Sequence, residues 1–375
     1  MYLRPAVRLA TAADAHLPLY DYTTLSAMNT CPTWGILRYG LGKTFANSAR
    51  PLALEFGAAM HDAFAAIRLL QLYQVQGYPQ HASHRAVTLL GASRWHEIIQ
   101  EYDPKDEPRA NAFRMGVTAL RNNGYVNDEK DKKRTIENGE EALASYLNDW
   151  DFDEHKVWIQ DKNNPLALVG CEIIFDLVIE FICDRVLFEI LNPPPQCWEK
   201  LSETTYVVRF RYAGRIDGLH VHGNSERPFV HENKTAARLD EAWKQSFSIS
   251  HQITGYCVAA TIIMRQHVSD AYAIGLQIPQ PRGYFGGVVW EPVHRGTHNY
   301  ERWLQWLVHT LEGVWRYDND PIHAPKYSHS CNRYFRPCSF IPFCYGDEGD
   351  QQNTLEQMVE DKWTPLRDME VPIDG

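Results

Sequence analysis

The residues best placed to do chemistry together lie in "GRIDGLHVHGNSERPFVHENKTA", Gly214–Ala236. Glu232 and Lys234 are two apart, and in a strand such residues share a face while Asn233 points away. A turn at Gly223 would bring Asp217 alongside them. Two close carboxylates repel unless a cation sits between them. Magnesium and manganese favour oxygen ligands and keep positions for water and phosphate oxygens. The ion polarises the phosphate and makes the nucleophile, while a neighbouring lysine can orient the attacking water or stabilise developing negative charge. An Asp followed by Glu-x-Lys therefore suits phosphodiester hydrolysis. Taken alone, the same residues also describe an ordinary charged hairpin.

Other residues add to the set. His61, in "GAAMHDAF", sits on an apolar helical pattern. It reads as a packed histidine, or, beside carboxylates, as a neutral imidazole ligand. Gln252 and Tyr256, in "HQITGY", are four apart and share a helical face. They read as a helix surface and a core tyrosine, or as an amide and a phenol offered to DNA. Two further motifs fail. "GLGKT" at Gly40–Thr44 has Leu37 where a phosphate loop needs glycine, and "HEIIQ" at His96 has Gln100 where a zinc-protease helix needs its second histidine.

"SHSCNRYFRPCSFIPFCYGD", Ser328–Asp347, places Cys331, Cys338 and Cys344 within fourteen residues, whereas the other 361 residues hold five cysteines. Zinc and iron–sulfur sites both take four thiolates, and the gaps of six and five residues lack the tight C-x2-C pair common in structural zinc sites. Cys171, Cys183, Cys197 and Cys257 lie in apolar segments and read as core.

The elements that must position these residues follow from periodicity and punctuation. "DYTTLSAMNTCPTWGILRYG" reads as a helix capped by Thr23 or Thr24, and "LALEFGAAMHDAFAAIRLLQLY" as an apolar helix. Residues from about 85 to 150 read as helices, with "NDEKDKKRTIENGEEA" a solvated face or loop. "LALVGCEIIFDLVIE" and "RVLFEIL" read as strands, "NPPPQ" as a break, and "TTYVVRFRYAGRIDGLHVH" as one or two strands with Asp217 at a strand end. "FVHENKTA" is another strand, "DEAWKQSFSISHQITGYCVAATIIM" is helical, "DAYAIGLQI" is a strand and "NYERWLQWLVHTLEGVWRYD" a helix. This order predicts an α/β core with a helical insertion.

Composition sets outer bounds. In 375 residues, 44% apolar and 22% charged predict a substantial core rather than disorder. A net charge of −10 argues against a surface coated in basic residues, though a local basic groove remains open. No apolar run of about 18 residues exists, so no membrane span is expected. The opening "MYLRPAVRLATAADAHLP" is a poor signal peptide. An intracellular, cytoplasmic protein is expected, in its own cell or in a virus-infected host. In that reducing setting the eight cysteines read as free thiols or metal ligands, and the "NKT" sequon at Asn233 as fortuitous.

In their order along the chain, "TTLSAMNTCP", "GAAMHDAF", "GRIDGL", "HENKTA" and "QITGY" resemble the motifs of the RecB-like branch of the PD-(D/E)XK nuclease superfamily, and the tail cysteines resemble its iron–sulfur branch. That branch includes AddB-type recombination nucleases and CRISPR adaptation nucleases. The resemblance spans roughly residues 20–60 and 170–345 and leaves about 85–165 unexplained. It implies a restriction-endonuclease-like mixed central sheet flanked by helices, with a helical insertion and a C-terminal cysteine cluster. The expected segments are 1–84 (N-terminal helices, first cluster cysteine and histidine helix), 85–165 (helical insertion), 166–320 (nuclease core) and 321–375 (iron–sulfur segment and tail). It implies Mg or Mn held by His61, Asp217, Glu232 and the Asn233 carbonyl, with Lys234 at the attacking water and Glu172 as a further acidic residue. It supplies Cys31 as the fourth ligand to Cys331, Cys338 and Cys344 in a [4Fe–4S] cluster, with structural zinc the alternative. The activity implied is an exonuclease on single-stranded DNA or DNA ends, in recombination, phage DNA processing or CRISPR adaptation. A recombination, helicase or CRISPR protein is the expected partner. The alternatives are an inactive DNA-binding or scaffold protein of the same fold and a structure-specific endonuclease.

Overall fold

The computed structural model describes residues 3–46, 52–78, 92–161, 163–164, 167–278, 287–333 and 336–365. The strands that set the site are β1 (Leu3–Leu9), β2 (Leu19–Asp21), β3 (Lys43–Thr44), β4 (His155–Val157), β5 (Cys171–Asp184), β6 (Trp198–Lys200), β7 (Thr205–His222), β8 (Pro228–Ala236), β9 (Asp270–Gln277) and β10 (Val288–His294). All of these except β3 belong to one mixed sheet, with β1-β5-β7-β8-β9-β10 as its main path and β2, β4 and β6 paired to β7. Most pairs are antiparallel; β8–β9 and β2–β7 are parallel. Helices flank the sheet, so the class is α/β. Among the described residues no single helix is long and apolar enough to cross a membrane.

The chain divides into two compact units. One comprises residues 1–49, 175–214 and 298–375. Its helix Thr297–Tyr317 buries Trp303, Leu307, Leu311 and Trp315 at three- and four-residue spacing, the stripe of a helix lying on a core. Trp303 meets Tyr212 edge-on, and the Trp315 indole donates to the Tyr20 hydroxyl at 2.9 Å.

The other unit comprises 50–174 and 215–297. Its central helix, Leu52–Leu70, buries Phe56, Ala59, Met60, Ala63, Phe64, Ile67 and Leu70, and small alanines let it sit close to its neighbours. The insertion supplies helices Ala92–Ile99, Pro108–Asn122 and Ile136–Asp149, whose Met115, Ala119, Leu120, Leu143 and Tyr146 join the same core. The charged run before Ile136 is a loop, and Thr135 caps the helix that follows. This core therefore rests on the insertion as well as on β4, β5 and β9.

Local chemistry corrects several sequence expectations. "RVLFEIL" is a helix, Arg185–Leu191, because the Asp184 carboxylate accepts the Leu187 N–H at 2.9 Å and Asn192 ends the turn at φ +46°. The first helix, Tyr22–Thr30, is capped by Asp21 rather than by Thr23 or Thr24; the Thr24 N–H donates to Asp21. Asp217 lies inside an 18-residue strand, not at a strand end. The helical stretch near Gln252 is two helices, Glu241–Ser248 and His251–Met264, and Ser250 caps the second. β1 and β10 were not anticipated.

Candidate metal and phosphodiester site

Strand registers place three carboxylates in a row. The Leu219 N–H donates to the Gly170 carbonyl at 2.9 Å. Two residues on from each partner of this bond, Asp217 and Glu172 bring carboxylate oxygens within 4.8 Å of each other. On the other side the β7–β8 ladder ends with Gly218 opposite His231, and Asp217 and Glu232 are the next residues of the two strands. Directly opposed side chains lie about 5 Å apart. Gly170 makes the first approach possible: a Cβ there would fall 1.9 Å from the Leu219 carbonyl oxygen. Glu172 itself has φ +49°, in the left-handed region that costs a non-glycine residue about 1–2 kcal/mol.

The central helix supplies His61 and Arg68, seven residues apart and so on one face two turns apart. His61 Nδ1 lies 3.4 Å from Asp217 Oδ1. His61, Glu172 and Asp217 each offer a ligand atom within 4.8 Å of the others. Arg68, fully buried, donates to the Asp217 carbonyl at 2.7 Å, lies 2.9 Å from His231 Nδ1 and stands 3.7 Å from Glu172. Arg215 pairs with the other Glu172 oxygen at 3.0 Å. Neither arginine was singled out in the sequence. Arg68 hides inside an apolar helix, although an arginine among "AAIRLL" is a signal in itself, since a buried guanidinium needs acceptors.

Asp217 Oδ2 accepts the Asn233 backbone N–H at 2.9 Å, which ties the two strands at the site. Glu232 pairs through Oε1 with Lys234, while its buried Oε2 has no hydrogen-bond partner among the described residues. The site thus grades outward, from the buried Glu232 and Asp217 to a Lys234 side chain that is 35% exposed and an Arg215 side chain that is 43% exposed.

Burial and crowding separate the protonation states. Burial, then the Asp217 charge, pushes the Glu232 carboxyl up to about 8 despite Lys234. Burial and Asp217 push Glu172 up to about 7 against the pull of Arg215 and Arg68. For Asp217, burial raises the pKa, but His61, Lys234, Arg68 and the Asn233 N–H together carry it below the usual carboxylate value. Burial lowers His61 to about 4, against the pull of Asp217, so its ring is neutral near pH 7. One ionised carboxylate, one neutral imidazole, a Glu232 carboxyl whose proton a cation would displace and a Glu172 balanced between its two states near pH 7 form a donor set that fits a hard divalent ion.

Gln252 and Tyr256 lie on one helix, where the Gln252 amide donates to the Tyr256 hydroxyl at 2.9 Å. Tyr256 is buried.

Cys31, Cys331, Cys338 and Cys344 all belong to the first unit. Burial, then the neighbouring Cys31 and Cys331, raises the Cys338 thiol, and burial with Cys31 and Cys338 pushes Cys344 to about 11. Cys31 is buried and the other three are half-buried. Among the described residues no three of these sulfurs lie within 4.8 Å of one another. The cysteines are not the only tie between the first helices and the tail. Thr33 Oγ1 donates to the Pro325 carbonyl at 2.9 Å, Arg38 pairs with Asp361 at 2.7 Å, and β3 pairs with Val359–Glu360. Cys171, Cys183, Cys197 and Cys257 are buried, as core residues should be.

Comparison of the sequence with family models and with curated proteins returned no match.

Proposed function

We propose that the chain is a divalent-metal-dependent DNA nuclease. The observation that carries this reading is the row Glu172–Asp217–Glu232 with His61 against it and Lys234 at its end. His61, Glu172 and Asp217 would hold the ion, with Glu232 and the Asn233 carbonyl as further oxygen donors. The ion would supply Lewis-acid polarisation of the phosphate and charge neutralisation. Glu172 enters this set on its proximity to His61 and Asp217. Lys234 orients the attacking water and steadies negative charge as it develops on the phosphate. Arg215, paired with Glu172 and open to solvent, is placed to bind a phosphate oxygen of the incoming strand. Arg68 fixes the Asp217 backbone from beneath and offsets the charge of the acidic row. Gln252 and Tyr256 would contact the nucleic acid, a role that rests on the resemblance to RecB-like nucleases. A preference for single strands or DNA ends rests on the resemblance to RecB-like nucleases.

The four cysteines would hold a [4Fe–4S] cluster. The cluster is preferred to zinc on the resemblance and because the cysteine gaps lack the tight C-x2-C pair of structural zinc sites. Its role would be structural, within the unit that contains the tail.

The test is cleavage of end-labelled single- and double-stranded DNA, linear and circular, by cluster-loaded protein with magnesium or manganese. Digestion of linear but not circular substrates is expected. Cleavage of circles would replace the exonuclease with an endonuclease. Binding without any cleavage would leave a DNA-binding protein of the same fold.

A further inference from the structure

Away from the acidic row, the same unit carries a second group of metal-ligating side chains. β4 and β7 pair antiparallel with His155 opposite His222. Their ring centroids are 5.9 Å apart. Glu154 precedes His155, and the Gly223 N–H donates to the Glu154 carbonyl at 2.7 Å, so the backbone on both sides is held. Glu154, His155 and His222 each present a ligand atom within 4.8 Å of the other two.

The polar atoms around this group are short of partners. His155 Nδ1 is buried and has no hydrogen-bond partner among the described residues. His220, two residues before His222 on β7, is fully buried with neither ring nitrogen partnered. Buried nitrogens normally find a partner. Aromatic rings wall the group on its inner side: Trp290 and Phe229 stand 4.8 and 5.5 Å from His155, and Phe229 is 4.6 Å from His222. Burial lowers the His155 pKa, so its ring is neutral near pH 7 and free to ligate. Two imidazoles and a carboxylate with an outer side open to solvent match the donor set of His2Glu zinc sites that keep a fourth position for water.

We infer that Glu154, His155 and His222 bind a borderline divalent cation of the zinc class, in a site separate from the acidic row. The ion would clamp the end of the helical insertion, where β4 lies, to the end of the strand that carries Asp217. It would reinforce a join made by three residue pairs of a short strand and by the flanking Gly223–Glu154 and Trp158–Leu219 backbone bonds.

Full-length protein answers the question with zinc and with cobalt as a spectroscopic probe. Cobalt on imidazole and carboxylate gives visible d–d bands without the near-ultraviolet thiolate band that the cysteines would add. Wild type should bind one more zinc than His155→Ala or His222→Ala and show a higher unfolding midpoint with zinc. Asp217→Asn should retain this difference, which separates the site from the acidic row. Glu154 is exposed, so Glu154→Gln should fold normally and weaken zinc at least about tenfold, as loss of a ligand demands. Equal zinc counts in wild type and folded histidine variants would overturn the assignment. So would unchanged affinity in Glu154→Gln, or loss of the zinc in Asp217→Asn alone.

Discussion

Glu232→Gln offers a test of the acidic row that does not depend on knowing the substrate. The Glu232 side chain is 1% exposed, and burial beside Asp217 raises its pKa from 4.5 to about 8. The folded state therefore binds a proton that the unfolded chain releases above about pH 4.5. Where the native state holds more protons, stability falls as pH rises. The cost begins near pH 4.5 and is complete above about pH 8. At about 1.4 kcal/mol per pKa unit this amounts to a few kcal/mol. Glutamine keeps the shape and cannot ionise. Freed of divalent ions, Glu232→Gln should match wild type near pH 4 and exceed it in urea midpoint near pH 9. Magnesium or manganese should narrow the gap. Ion at a hundred times its Kd stabilises by about 2.7 kcal/mol, and the variant, missing one donor charge, should gain less. If Glu232→Gln is no more stable than wild type at pH 9 without metal, the carboxylate is not held in the buried, crowded state inferred here.

Three further outcomes follow from the geometry. Asp217→Asn should bind DNA but lower cleavage about 10³-fold, because several kcal/mol of transition-state charge stabilisation goes with the ligand and each 1.4 kcal/mol is a factor of ten; single-turnover kinetics on a labelled strand measure it. Arg68→Met should destabilise the protein by about 3–5 kcal/mol, since it removes the donor to the Asp217 carbonyl and one of the two cations beside Glu172 while keeping most of the side-chain volume; denaturant unfolding at pH 8, where Glu172 is largely ionised, checks this, and partial recovery in Arg68→Met/Glu172→Gln would show that charge as well as packing was lost. Serine at Cys31, Cys331, Cys338 or Cys344 should remove about four irons and the matching sulfide per chain, measured after anaerobic purification. The Thr33, Arg38 and β3 contacts should still hold the tail in these variants, as limited proteolysis would show.

The sequence by itself settled the residue types and the local periods. Helix Leu52–Leu70, strands β8 and β9, the turn after His222 and the pairing of Glu232 with Lys234 on one strand face were all readable, because period-two and period-3.6 patterns are local properties. Where a single cap or break decides, the reading failed: Asp184 turns "RVLFEIL" into a helix, and Asp21 takes the cap assigned to Thr23 or Thr24. Only the tertiary structure decided which distant residues meet. Arg68 lies 149 residues before Asp217, and its buried guanidinium has meaning only once the helix lies across the strand. Glu172 joins the acidic row because Gly170 allows a backbone contact that any Cβ would block. His155 and His222 face each other through a strand register that neither segment encodes alone. Sequence spacing carries face and period along one element, whereas a site depends on register and packing between elements, and those are settled by burying the whole core at once.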